Sequence, residues 1–227
     1  MQFMDERLRE AWTTIIQAED YDAHMRAVGQ AQANAELIRE LFEERPPASG
    51  TSVLFAGAGT GQMFDFIAPD LLNPFQTTFT DLNAQYLEKL RLRLNESSEI
   101  QFKTVLDDIE HTGLSGGFSL AIAVLLLEHV DWRKAIAALC KLSTERIFII
   151  LQENPPELTT AMRRDLPRVG SMEIFKRIDS HLIPAAMIEA EFANHDFRLV
   201  RTTRREVPDR KQMVAQEYAR VECTATT

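Results

Sequence analysis

Ser52-Val-Leu-Phe-Ala-Gly-Ala-Gly-Thr-Gly61 is an apolar run that passes without a break into glycines at positions 57, 59 and 61. The run is short and continuously apolar, as a strand buried on both faces of a parallel sheet should be. Glycine immediately after such a strand lets a ligand approach the backbone. Amides exposed there, with the positive end of a following helix, can hold an anionic or polar group. The pattern predicts that helix over 62–68.

A sheet that holds a nucleotide this way needs an acid at the end of the next strand, about 20 residues on, to accept hydrogen bonds from a ribose diol. Asp81 stands there, after Phe79-Thr80. The third strand ends in Asp107-Asp108, which can receive an adenine amino group.

Outward from this stretch, short apolar runs alternate with helical ones, the signature of repeated βα units. Strands are expected over 52–56, 77–80, 101–105, 118–125 and 146–151, and helices over 84–94 and 132–142, the latter capped by Asp131. Pro184 can start another helix and turn Met187, Ile188 and Phe192 inward. The tail reads as an antiparallel hairpin of 197–207 and 212–221 around a turn at 208–210. Ahead of the core, Leu8, Trp12, Ile15 and Ile16 share one helical face, and Val28, Ala31, Ala35, Ile38 and Phe42 another. Two amphipathic helices therefore open the chain, the second stopped by Pro46-Pro47. The expected organisation is a helical cap over 1–50 packed on a core over 51–227, one domain overall.

Composition narrows the function. The longest apolar run, Leu120 to Leu127, is far short of the roughly 20 residues that cross a bilayer, which speaks against a membrane partner. Asp5, Glu6, Arg7, Arg9 and Glu10 leave no apolar core for a signal peptide, so a cytoplasmic location is expected. Cys140 and Cys223 form neither a disulfide framework nor a metal-ligand cluster. A net charge of −9 would repel a polyanion, which argues against nucleic acid.

With glycines at 57, 59 and 61, Asp81, Asp107 and Glu128-His129 all in order, the chain resembles the class I S-adenosylmethionine-dependent methyltransferases. The resemblance implies an α/β, Rossmann-like fold: a seven-stranded, mostly parallel sheet with an antiparallel last strand and helices on both faces. It implies S-adenosyl-L-methionine as cofactor, with the turn of Gly57, Ala58, Gly59 and Gly61 under its methionine part. Asp81 and Leu82 fall at the ribose, Asp107 and Asp108 beside the adenine, Leu125 on the wall, and Tyr21 as an aromatic closing over the top. Phe55 departs from the pattern, standing where the family usually carries the acid that anchors the cofactor's amino group. Leu125 stands where related quinone-pathway O-methyltransferases carry an acid that helps hold a divalent cation, so no metal is expected.

The implied activity is methyl transfer to an oxygen, nitrogen or carbon of a small molecule, by a monomer or homodimer. Positioning of two reactants is worth about 7–11 kcal/mol. A general base adds roughly 10²–10⁴-fold, or about 3–5 kcal/mol. His129, at the carboxyl end of the fourth strand, is the first candidate base and His24 the second. Arg163, Arg164 and Arg168 are candidates for an acidic acceptor. A non-catalytic module for an adenosyl cofactor is the alternative. A nicotinamide-dependent oxidoreductase is disfavoured, because Gln62 occupies the last glycine position of GxGxxG.

Overall fold

A computed structural model describes residues 6–97, 100–161 and 170–221. Seven strands form one sheet: β1 Ser52–Ala56, β2 Gln76–Asp81, β3 Phe102–Leu106, β4 Phe118–Val124, β5 Ser143–Glu153, β6 Phe197–Val207 and β7 Lys211–Arg220, in spatial order β3-β2-β1-β4-β5-β7-β6. β1 pairs in parallel with β2 and β4, β2 with β3, and β4 with β5. β7 runs antiparallel to both β5 and β6, so the tail hairpin and the antiparallel last strand are both present. Chain order reverses direction across the sheet between β1 and β4, and a crevice opens there at the carboxyl ends of the strands.

Alternation along the buried strands sends side chains to two cores. Val53, Phe55, Phe79, Ile122 and Ile150 pack under the helices α3 Gln30–Glu44 and α4 Ala84–Ser97. Leu54, Ala56, Ala123, Ile149 and Tyr218 face α5 Trp132–Leu142 and α6 Ala185–Ala193. Asp131 caps α5 as expected, accepting from the Lys134 amide.

The opening segment differs from the expected pair of helices. α1 Glu6–Glu10 runs into a π-helical turn, Ala11–Ile15, and the chain then extends at Ile16. The second helical stretch is α2 Ala18–Ala27 followed by α3, broken at Gly29, whose φ of 69° belongs to the left-handed region. The helix expected over 62–68 is replaced by two 3₁₀ turns, Gln62–Asp65 and Pro69–Leu72. Pro69 forces Ala68 into the extended conformation, with ψ 125°, and no α-helix can pass through. The element directly after the glycines is therefore one short turn, Gln62–Asp65, and its dipole is small. Met187 is 44% exposed, whereas Ile188 and Phe192 are buried. These two share the face of α6 toward Tyr218, four residues apart, and Met187 falls off that stripe.

Phe55 is 2% exposed, its ring 5.0 Å from Phe79, 6.3 Å from Phe64 and 6.5 Å from Phe42. Burying an unpaired carboxylate among these rings adds a desolvation cost to the lost packing. Phe55→Asp should therefore lower stability by at least the about 3–5 kcal/mol typical of a buried Phe truncation. Thermal unfolding would check it, with Phe55→Leu expected to lose far less.

Candidate functional site

The carboxyl ends of β1 to β4 converge on a cavity lined by Gly57, Asp81, Asp107 and His129. Its floor is the glycine turn, where Gly57, Gly59 and Gly61 all have positive φ, 62°, 58° and 70°. A Cβ at Gly57 would sit 2.6 Å from Leu126 Cδ1, so a side chain there would have to displace that leucine as well as adopt a strained φ. The Ala58 amide donates to the Thr80 carbonyl at 2.8 Å and stitches the turn to β2. Asp81 finishes the junction: Oδ2 accepts from the Gly59 amide at 2.8 Å and Oδ1 from the Asn83 amide at 2.9 Å. Each of its oxygens keeps a lone pair beyond these bonds. Burial pushes the Asp81 carboxyl up to about 6, against the pull of the same amides.

Asp107 Oδ1 accepts from the Gly113 amide at 2.9 Å, and Oδ2 is buried without a donor among the described residues. Asp108 also lines the cavity, but it caps Glu110, bonds His111 Nδ1 at 3.0 Å and is ion-paired with Arg9. Leu82 and Leu125 line the same walls. Leu125 holds a φ of 52° without being glycine, a strain of the kind that clusters at functional sites.

The roof comes from the opening segment. Tyr21 lies over Gly59, stacks on Tyr86 at 5.7 Å and meets the edge of Trp12 at 5.3 Å. Its hydroxyl accepts from Gln62 Nε2 at 3.2 Å. Trp12 also packs edgewise on His129 at 4.6 Å. His129 lines the cavity with Nδ1 3.1 Å from Ser180 Oγ, and burial drives its pKa down to about 3. His24 sits on α2 and does not line this cavity. Arg163, Arg164 and Arg168 lie outside the described residues.

A second, smaller cavity adjoins the first at Tyr21, Gly57, Val124 and Leu125. Phe55, Ala58, Gly61, Gln62 and Asn34 complete its polar and apolar walls. Sequence reasoning placed Trp12 in a helix face and passed over Tyr86, Asn34 and Ser180. An aromatic on the first opening turn and an amide in the middle of an apolar helix stripe were the signals available.

Residues 53–144 match the family described as Methyltransferase domain. The fold is that of the class I S-adenosylmethionine-dependent methyltransferases. Among solved structures, the chain is similar to magnesium protoporphyrin IX methyltransferase from Synechocystis PCC 6803 with bound SAM, at 15% identity over 95% of this chain and 90% of that one, TM-score 0.65. It is similar also to a geranyl diphosphate methyltransferase (12% identity, 83% and 77% covered, TM-score 0.61) and to the glycopeptide N-methyltransferase MtfA (18%, 81% and 89%, TM-score 0.60). No curated protein sequence matches the chain.

Next to His129 in sequence, Glu128 is 3% exposed. Its Oε1 accepts from the Gln152 amide at 2.8 Å, while Oε2 meets no donor among the described residues. Burial raises its pKa to about 7. A raised carboxyl contributes stability that is present below its unfolded pKa, near 4.5, and is lost as pH rises through 7. Glu128→Gln keeps the acceptor and removes the charge. It should leave stability unchanged near pH 4.5 and raise it at pH 8 by up to about 3 kcal/mol. Melting curves at the two pH values check this, and equal effects at both would show that charge is not the cause.

Proposed function

We propose that the protein is an S-adenosylmethionine-dependent methyltransferase acting on a small molecule. One observation carries the reading: Asp81 has unspent lone pairs, and Asp107 has a buried, unpartnered oxygen on the same cavity. A nucleoside with a ribose diol and an exocyclic amino group supplies the donors both acids lack. The turn, without a Cβ at positions 57, 59 and 61, allows the rest of the cofactor to lie against the backbone, and Tyr21, Trp12 and Tyr86 exclude water above it.

S-adenosylmethionine supplies a methyl group already activated on a sulfonium, so the protein's contribution is orientation of an acceptor in line with it. His129 is neutral throughout the physiological range because burial removes its proton. With so low a proton affinity it stores a proton poorly, and its role in this reading is to accept a hydrogen bond from the acceptor and aim it. His24, away from the cavity, takes no part. The acceptors for which the structural neighbours are named, a porphyrin, geranyl diphosphate and a glycopeptide, support the small-molecule class.

Asp81→Ala should weaken S-adenosylmethionine about 10- to 150-fold, since hydrogen bonds to a charged group contribute about 1.5–3 kcal/mol. Ribose donors favour the carboxylate, so wild-type affinity should also fall as pH drops below about 6. Titration calorimetry decides both, and affinity within twofold of wild type in Asp81→Ala would defeat the nucleotide-site reading. His129→Ala should lower kcat about tenfold or more by misplacing the acceptor. A pH–rate profile in which His129→Ala removes an inflection between pH 5 and 8 would instead assign it as a titrating base.

A further inference from the structure

The second cavity contains an unanswered polar atom. Asn34, in the middle of α3, is 1% exposed, and its Oδ1 meets no hydrogen-bond donor among the described residues. A buried amide oxygen left without a donor costs about 1–3 kcal/mol, so a partner is expected from outside the chain. The walls around it narrow the choice. Tyr21 Oη already accepts from Gln62 Nε2, and Gln62 Oε1 lies 3.0 Å from Thr60 Oγ1. Asp22, the nearby acid of α2, is held by Arg93 at 2.6 Å and by Thr60, and it does not line the cavity. Phe55, which also lines it, offers no polar atom. Asn34 Oδ1 is thus a fully buried, unengaged side-chain acceptor among the residues lining this cavity.

What fits there is a donor attached to a ligand that spans both cavities across Gly57 and Leu125. We propose that Asn34 Oδ1 accepts a hydrogen bond from the α-ammonium of the cofactor's methionine moiety, a positioning contact made from α3 because Phe55 has made the end of β1 apolar. The inference rests on the proposed cofactor and identifies how its amino-acid end is held. An ammonium offers three donors and no acceptor, which matches an amide oxygen facing a cavity without a competing anion. The neutral acceptor also explains how the apolar cluster around Phe55 coexists with a cationic ligand group: the cation meets a dipole, and no unpaired carboxylate has to be buried when the site is empty.

The test uses the whole chain and two probes, S-adenosylhomocysteine and 5′-methylthioadenosine, which share the adenosine and thioether but differ in the amino-acid end. Asn34→Leu removes the acceptor with little change in volume. It should weaken S-adenosylhomocysteine about 10- to 100-fold, the range of a hydrogen bond to a charged group, and leave 5′-methylthioadenosine within twofold. Asn34→Asp should restore or tighten binding of the first probe alone. The melting temperature of the unliganded Asn34→Leu protein should hold or rise, because an orphan buried oxygen is gone, whereas a structural amide would lower it. Equal binding of S-adenosylhomocysteine by Asn34→Leu and wild type, or equal weakening of both probes, overturns the assignment of Asn34. Failure of wild type to bind either probe overturns the cofactor reading itself.

Discussion

The bond from the Gly59 amide to Asp81 Oδ2 is the joint on which the rest of the site depends. It couples a backbone that only glycine holds comfortably, at φ 58°, to the last residue of the neighbouring strand. With the Ala58 to Thr80 bond beside it, it fixes the height of the turn above the sheet and so the depth of both cavities. The same carboxylate is the acceptor proposed for the ribose. One side chain therefore shapes the floor and, in the proposed reading, meets the ligand; with no cation bonded to it among the described residues, backbone amides hold it.

The roof is built by a different principle. α1, the π turn and α2 are short, and what holds them is aromatic contact: Trp12 touches Tyr21, Tyr86, His129 and Phe175 at 4.6 to 6.4 Å. Asn83 Nδ2 donates to the Trp12 carbonyl and Tyr86 Oη to that of Ile16, so helix α4 and the end of β2 tie the opening segment down. The ion pair of Asp108 with Arg9 lies at the cavity wall, whereas that of Lys89 with Glu19 lies farther out, where solvent reduces its worth. Floor and roof thus meet through residues that follow Asp81 in sequence, and the cavity is enclosed by one continuous set of contacts.

Much of this was legible in the sequence because the signals were local. A continuous apolar strand running into glycines, an acid about 20 residues on, and β-branched runs alternating with helical ones are each determined by a few neighbouring residues, and the sheet follows from them. The helix after the glycines was misread because Pro69 and the left-handed Gly61 act against an otherwise helical run. Gly29 divided the second opening stretch for the same reason, and Met187 was placed inward by hydrophobicity although the stripe of α6 passes it by. Asn34 was illegible because its meaning depends on Phe55, Gln62 and Tyr21 arriving around it from other elements, a contact pattern that no window of sequence displays.

The strand order has a consequence for how the chain is made. β5 lies between β4 and β7, and β7 is the last strand in chain order. While the chain is being synthesised, the first five strands can assemble, yet β5 then presents a free edge of Ile147, Phe148, Ile149, Ile150 and Leu151, a template for association with another nascent chain. Closure arrives only with the hairpin, whose two strands pair locally and then dock as a unit. The ordering makes the hairpin, through β7, the cover of that edge during biogenesis.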